Sequence, residues 1–191
     1  VLWLPTVESM YPFGIELAAS INVPGVSSVL EGAHRPGHFD GVCTVVTRLF
    51  NQVQPDVAAF GKKDFQQLAV IRQMVTDLAF PIEILGGSIV RESDGLAMSS
   101  RNQYLSAQER PVAALIRKVL LAMRDAAGAD ECRTDIEAEA ARRLGEAGFA
   151  VDYAAIRHLD LSEPVQGQVA PRVALVAARL GKTRLIDNLE F

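Results

Sequence analysis

The sequence predicts an α/β fold, and three observations carry that expectation. Between Phe39 and Val90, apolar residues at helical spacing alternate twice with short apolar runs; prolines punctuate the junctions; beyond Ser106 the pattern changes to helices followed by alternating strands. The order helix, strand, helix, strand implies parallel strands with right-handed crossovers.

The elements follow in order. Val1 to Leu4, ending at Pro5, reads as a buried strand. Ile15 to Val29 is extended or irregular, and Glu31 to Gly37 is rich in turn residues. Phe39, Val42, Val46, Leu49 and Phe50 share one helical face, and Pro55 stops that helix. Val57 to Phe60 suits a buried strand, leading through Gly61 into a helix with Phe65, Leu68, Ile71, Val75 and Leu78 at helical spacing. Pro81 ends it. Ile82 to Val90 is the next strand, interrupted by Gly86-Gly87, and Arg91 to Asn102 is a polar loop. In the second region, Leu115, Ile116, Val119, Leu120 and Met123 make a helix with Pro111 in its first turn. Thr134 and Glu137 have capping-box spacing for another, and Gly148 stands where it would end. Arg172 to Leu180, joined through Gly181-Lys182 to Leu185 and Ile186, completes a small α+β unit.

Composition narrows the function classes. With 49% hydrophobic and 22% charged residues the chain can build a core, which excludes wholesale disorder. Its net charge of −4 argues against a basic nucleic-acid surface. Apolar runs such as Val173 to Ala178 fall far short of the roughly 20 residues that span a bilayer. Cys43 and Cys132 form neither a CxxC nor a metal spacing, no charged leader with an apolar segment is seen, and a reducing cytoplasm is expected. The chain opens at Val1 directly into an apolar stretch and reads as cut upstream.

Two loops could carry chemistry. Phe60-Gly61-Lys62-Lys63-Asp64-Phe65-Gln66-Gln67 lies where a strand passes into a helix, which is where open α/β sheets bind ligands. Unpaired amides at the helix start favour anions, and Lys63 adds a full charge. At about 4 Å and an effective dielectric near 20, a lysine and one phosphate charge attract by roughly 4 kcal/mol before desolvation. The same residues also suit a plain cap, with Asp64 at the N-cap and Gln67 three positions on. Asp94 to Asn102 offers Ser99, Ser100 and Arg101 in succession, a set able to bond phosphoryl oxygens, with Met98 free to pack on a purine; a turn capping the next helix explains it equally well. His34 and His38 flank Pro36-Gly37, so they cannot share a helix face as metal ligands would, and no metal site is expected. Val45, Val46, Leu49 and Phe60 read as core, or as the apolar wall of a pocket.

Together these segments resemble the pantoate–β-alanine ligase family. The resemblance rests on Arg35-Pro36-Gly37-His38-Phe39 with Gly41-Val42, on Val53 to Asp56, on the Phe60 to Gln67 block, on Asp94 to Asn102 with Tyr104-Leu105, and on Ala177 to Asn188, reading AARLGKTRLIDN. It implies a Rossmann-like domain of the HIGH nucleotidyltransferase superfamily, N-terminally incomplete over residues 1–104, and a small α+β lid over residues 105–191. It further implies a cytoplasmic homodimer that condenses pantoate with β-alanine through a pantoyl adenylate, with ATP as its Mg²⁺ complex and no nucleic-acid or membrane partner. By motif position, Gly61, Lys62, Lys63, Asp64, Val90, Met98, Ser99, Ser100 and Arg101 are the ATP contacts. Of these, Lys63, Ser99, Ser100 and Arg101 are expected to stabilise charge in the transition state. Gln67, Val45, Val46 and Phe60 are the expected pantoate contacts. Lys62 stands where the family usually has Glu. The family's PTMGxLHxGH segment, with its proton-donor histidine, does not occur in these residues, nor do the upstream glutamine and the acidic residues expected near Mg²⁺. A nucleotide-binding or dimerising fragment, or an enzyme adenylating another small carboxylate, are the alternatives.

Overall fold

The computed structural model describes residues 2–129, 131–165 and 170–191. By packing, the chain divides into Val1–Phe60 with Gln66–Gly86, and Gly61–Phe65 with Gly87–Phe191.

The first unit holds α1 (Val7–Met10), α2 (Glu31–His34), α3 (His38–Val53), β1 (Val57–Gly61), α4 (Phe65–Asp77) and β2 (Glu83–Gly87), its boundaries cutting the ends of β1, α4 and β2. The two strands form a parallel pair with α4 as the crossover. Phe39, Cys43, Val46 and Phe50 of α3 pack with Val70, Ile71, Met74 and Val75 of α4, and Ala58, Phe60, Ile82 and Ile84 close against them. Each strand buries one face only, so the expected buried strands are half-buried: Val57 and Leu85 lie 47% and 46% exposed on the other side. Gln66 is buried and ties down the stretch before α2, accepting from the Glu31 N–H at 3.0 Å and donating to the Val26 and Val29 carbonyls at 2.8 Å each. Gly32 is required there, since a Cβ would stand 1.7 Å from the Ser27 carbonyl oxygen.

Two expectations change here. Leu2 to Leu4 is neither a strand nor buried, with Leu2 88% and Leu4 83% exposed; Val1 lies outside the described residues. A strand needs a neighbour for its backbone groups, and among the described residues none lies beside this segment. The strand expected to reach Val90 stops at Gly87.

The second unit holds α5 (Glu109–Ala113), α6 (Leu115–Gly128), α7 (Arg133–Glu146), β3 (Phe149–His158), β4 (Arg172–Leu180) and β5 (Thr183–Glu190). The strands form an antiparallel sheet ordered β3-β4-β5, with Ala154 opposite Val176 and Val176 opposite Asp187. Central β4 is buried almost throughout. Ile116, Val119, Leu120 and Met123 of α6 and Ile136, Ala140 and Leu144 of α7 pack with Ile156, Ala174, Val176 and Leu185 of the sheet. Pro111 belongs to the separate α5, not to the first turn of α6. The capping box is replaced as well: Cys132 is the N-cap of α7, and Glu137 turns outward from its own helix to accept from the Ile156 N–H at 2.8 Å and from Arg157 and Arg133 at 3.1 and 3.2 Å. A neighbouring strand amide and two guanidiniums outcompete the local cap. No helix among the described residues is long and apolar enough to cross a membrane.

Candidate functional site

The second unit contains Gly61–Phe65 of the first loop singled out by sequence and the whole of the second. Lys62–Asp64 forms one 3₁₀ turn at the end of β1. β5 holds its backbone: the Asn188 Nδ2 donates to the carbonyls of Lys62 and Lys63 at 2.9 and 3.0 Å. Lys62 directs its ammonium to Glu190 at 3.0 Å. Lys63 instead lines a small cleft with Ala97, Ser99, Asn102 and Asp187, and among the described residues it has no ion pair. Gly61 and Asp64 are exposed.

The second loop folds back on itself. The Met98 N–H donates to the Val90 carbonyl at 2.9 Å and Arg91 bridges Ala97, with Gly95 at φ +91° making the turn. Arg91 grips Asp187 with two bonds of 2.7 and 3.0 Å and also reaches the carbonyls of Gly95 and Asn188. Asp187 is only 4% exposed. At the turn, the Leu96 N–H and the Arg110 guanidinium bind Asp94, and that pairing, the guanidinium first, holds its carboxyl below the usual range. Ser99 accepts the Arg101 N–H at 3.2 Å and caps the 3₁₀ turn Ser100–Tyr104, which leaves its hydroxyl proton free to donate outward. Asn102 donates to the Ala97 carbonyl while its Oδ1 is buried without a partner among the described residues. Val90, Met98, Ser100 and Arg101 are exposed. Close by, burial and then the charge of Arg91 push the Arg117 guanidinium below its ordinary pKa.

The ATP contacts expected from sequence thus all fall in one unit. Lys63, Ser99 and Asn102 share a cleft, with Ser100 and Arg101 on the adjoining exposed turn. The cavity itself, about 10 Å³, has room for about one water, whereas the cationic and hydroxyl donors of the exposed turn can bond phosphoryl oxygens from solvent.

The expected pantoate contacts all fall in the other unit. Val46 is core, and Val45 and Phe60 pack partly buried against it. Gln67 is half-buried; its neighbour Gln66 is the glutamine committed to structure. Arg35 lies 3.1 Å from Glu31 and 3.2 Å from the His38 Nε2, so the turn between the histidines is a polar knot. Among the described residues no cluster of three metal-ligating side chains occurs. Sequence reasoning missed the structural parts of Gln66, Arg91, Asp187 and Asn188. Of these, Gln66 carried a signal as a member of the Phe60 to Gln67 block, and Asp187 and Asn188 as members of the RLIDN segment.

The parallel strand pair with its helical crossover and the separate antiparallel sheet are those of an α/β enzyme of the HIGH nucleotidyltransferase fold, as the match to a solved pantothenate synthetase shows. The chain belongs to the pantoate–β-alanine ligase family, whose model, described as "Pantoate-beta-alanine ligase", matches residues 1–190. It is 72% identical over 190 residues to the pantothenate synthetase of Xanthomonas euvesicatoria pv. vesicatoria (strain 85-10), covering 100% of this chain and 68% of that protein. The crystal structure of pantothenate synthetase from Thermus thermophilus matches with a TM-score of 0.87 at 49% identity, over 97% of this chain and 67% of that one. A pantoate–β-alanine ligase from Francisella tularensis, complexed with β,γ-ATP and β-alanine, matches with a TM-score of 0.74 at 27% identity, over 95% and 61%.

Proposed function

We propose that this protein condenses (R)-pantoate with β-alanine at the expense of ATP, through a pantoyl adenylate. The pantoate carboxylate attacks the α-phosphorus of Mg²⁺-bound ATP and the bond to pyrophosphate breaks. The β-alanine amine then attacks the acyl carbon, AMP leaves, and the amine proton passes to solvent. No protein nucleophile is required, so the protein's part is alignment and stabilisation of charge at the α-phosphate. Lys63, Ser99, Ser100 and Arg101 supply that charge and those donors; Gly61, Lys62, Asp64, Val90 and Met98 seat the nucleotide; Gln67, Val45, Val46 and Phe60 seat pantoate. Residues 1–104 act as the nucleotide- and pantoate-binding part and residues 105–191 as the closing part of a cytoplasmic homodimer.

The observation that carries this reading is the placement of Lys63, free of any ion pair among the described residues, on the same small cavity as Ser99, at the edge of the exposed Ser100–Arg101 turn. Family membership supplies the substrates. In the full-length protein, Lys63→Ala is expected to slow pantoate-dependent pyrophosphate release by about 10²–10³-fold, the cost of losing one preorganised donor. A rate within about twofold of wild type returns Lys63 to a solvated edge.

A further inference from the structure

The end of β5 does more than complete a hairpin. Asn188 is 2% exposed, and a buried amide adds nothing to apolar packing. Its amide orientation is forced, because both partners are carbonyl oxygens, those of Lys62 and Lys63, and only the NH₂ can face them. These carbonyls belong to a turn that water could otherwise solvate. Fixing both restrains the backbone dihedrals from which the Lys63 side chain departs. The preceding residue, Asp187, acts on the other loop: it grips Arg91 and at the same time accepts the Asn188 N–H at 2.8 Å. Glu190 completes the set by pairing with the Lys62 ammonium, which leaves Lys63, among the described residues, as the cation of its turn without an ion pair.

We infer that Asn188, backed by Asp187, is a positioning residue for the nucleotide loops: one dipeptide of β5 sets Lys63 and the Val90–Arg101 loop in mutual register. The inference rests on the proposed adenylation at these loops. Preorganised charge acts only when held in place, and a misplacement of about 1 Å can cost roughly 10²-fold. The contacts also give Lys62 a reason. Lys62 faces an acidic partner on β5, so the extra charge is neutralised locally instead of being added to the nucleotide site.

The test uses the full-length protein and pantoate-dependent ATP–pyrophosphate exchange, with the β-alanine KM and Tm measured alongside. Asn188→Asp keeps the shape but sets a carboxylate against two carbonyls. It is expected to reduce kcat/KM for ATP by about tenfold or more, while the KM for β-alanine stays within about twofold. If Asn188→Asp does not fold, Asn188→Ala removes the donors without adding charge and carries the same expectation. A lower Tm with wild-type ATP kinetics overturns the inference and leaves Asn188 as a packing residue. Wild-type kinetics in the Asn188 variants while Lys63→Ala is impaired overturns this inference alone. Absence of pantoate-dependent exchange in wild type overturns the adenylation reading and this inference with it.

Discussion

Cys43 lies on the core side of α3 with no exposed surface, and burial first, then the charge of Asp40, push its thiol up to about 11. Cys132 is exposed at the N-cap of α7, where the Thr134 hydroxyl and the N–H groups of Thr134 and Asp135 favour the thiolate and lower its pKa. An aromatic disulfide reagent at about pH 7.5 is therefore expected to titrate Cys132 in the native protein and Cys43 only after denaturation. Two thiols reacting at one fast rate before unfolding would contradict this. The pH dependence has a definite sign. An unfolded Cys43 ionises near the ordinary 9.0 while the folded one stays neutral towards 11, so its contribution to stability is intact below about 9 and declines as pH rises through that window. Spacing showed that neither cysteine belongs to a metal or redox motif. It could not show which one is reactive, because that depends on the groups folded around each.

At the scale of elements, α3 and α4 were legible because their apolar residues repeat at the helical period and the long-range core merely accepts that face. The misread elements are those decided by a partner distant in sequence. Glu137 sits at capping-box distance from Thr134, yet it bonds the Ile156 N–H, 19 residues away, and so fastens α7 to β3. The same side chain pairs with Arg157, 15% exposed, and Arg133. Glu137→Ala is expected to cost about 1–3 kcal/mol, since it leaves the Ile156 amide without its acceptor and takes the carboxylate from the Arg157 guanidinium, which keeps the Ile156 carbonyl and Glu163. Thr134→Ala removes only a hydroxyl contact with Cys132 and should change stability by less than about 0.5 kcal/mol. Urea unfolding with an unchanged m-value measures both, and the reverse ranking would reinstate the local cap.

Over the whole molecule, the two candidate loops could be found from the chain alone because each follows a strand and each carries donors in succession. The contacts that fix them could not, since Asn188 reaches Lys63 across 125 residues and Arg91 reaches Asp187 across 96. Nor does the sequence show how the proposed contacts divide: those proposed for ATP all lie in the second unit, and those proposed for pantoate in the first. That partition predicts separate footprints in hydrogen exchange on the full-length protein. ATP alone should slow exchange in residues 61–65 and 87–104. Both segments contain exposed residues, and protection there can approach 100-fold at about 100 Kd of ligand. Pantoate alone should act at the first turn of α4 around Gln66 and Gln67, where helix amides lack intrahelical acceptors and exchange is fast enough to respond. The β4 amides, buried at the centre of their sheet, serve as the reference that neither ligand moves. Protection of 87–104 by pantoate alone, or of the first turn of α4 by ATP alone, would show that the residues have been assigned to the wrong substrates.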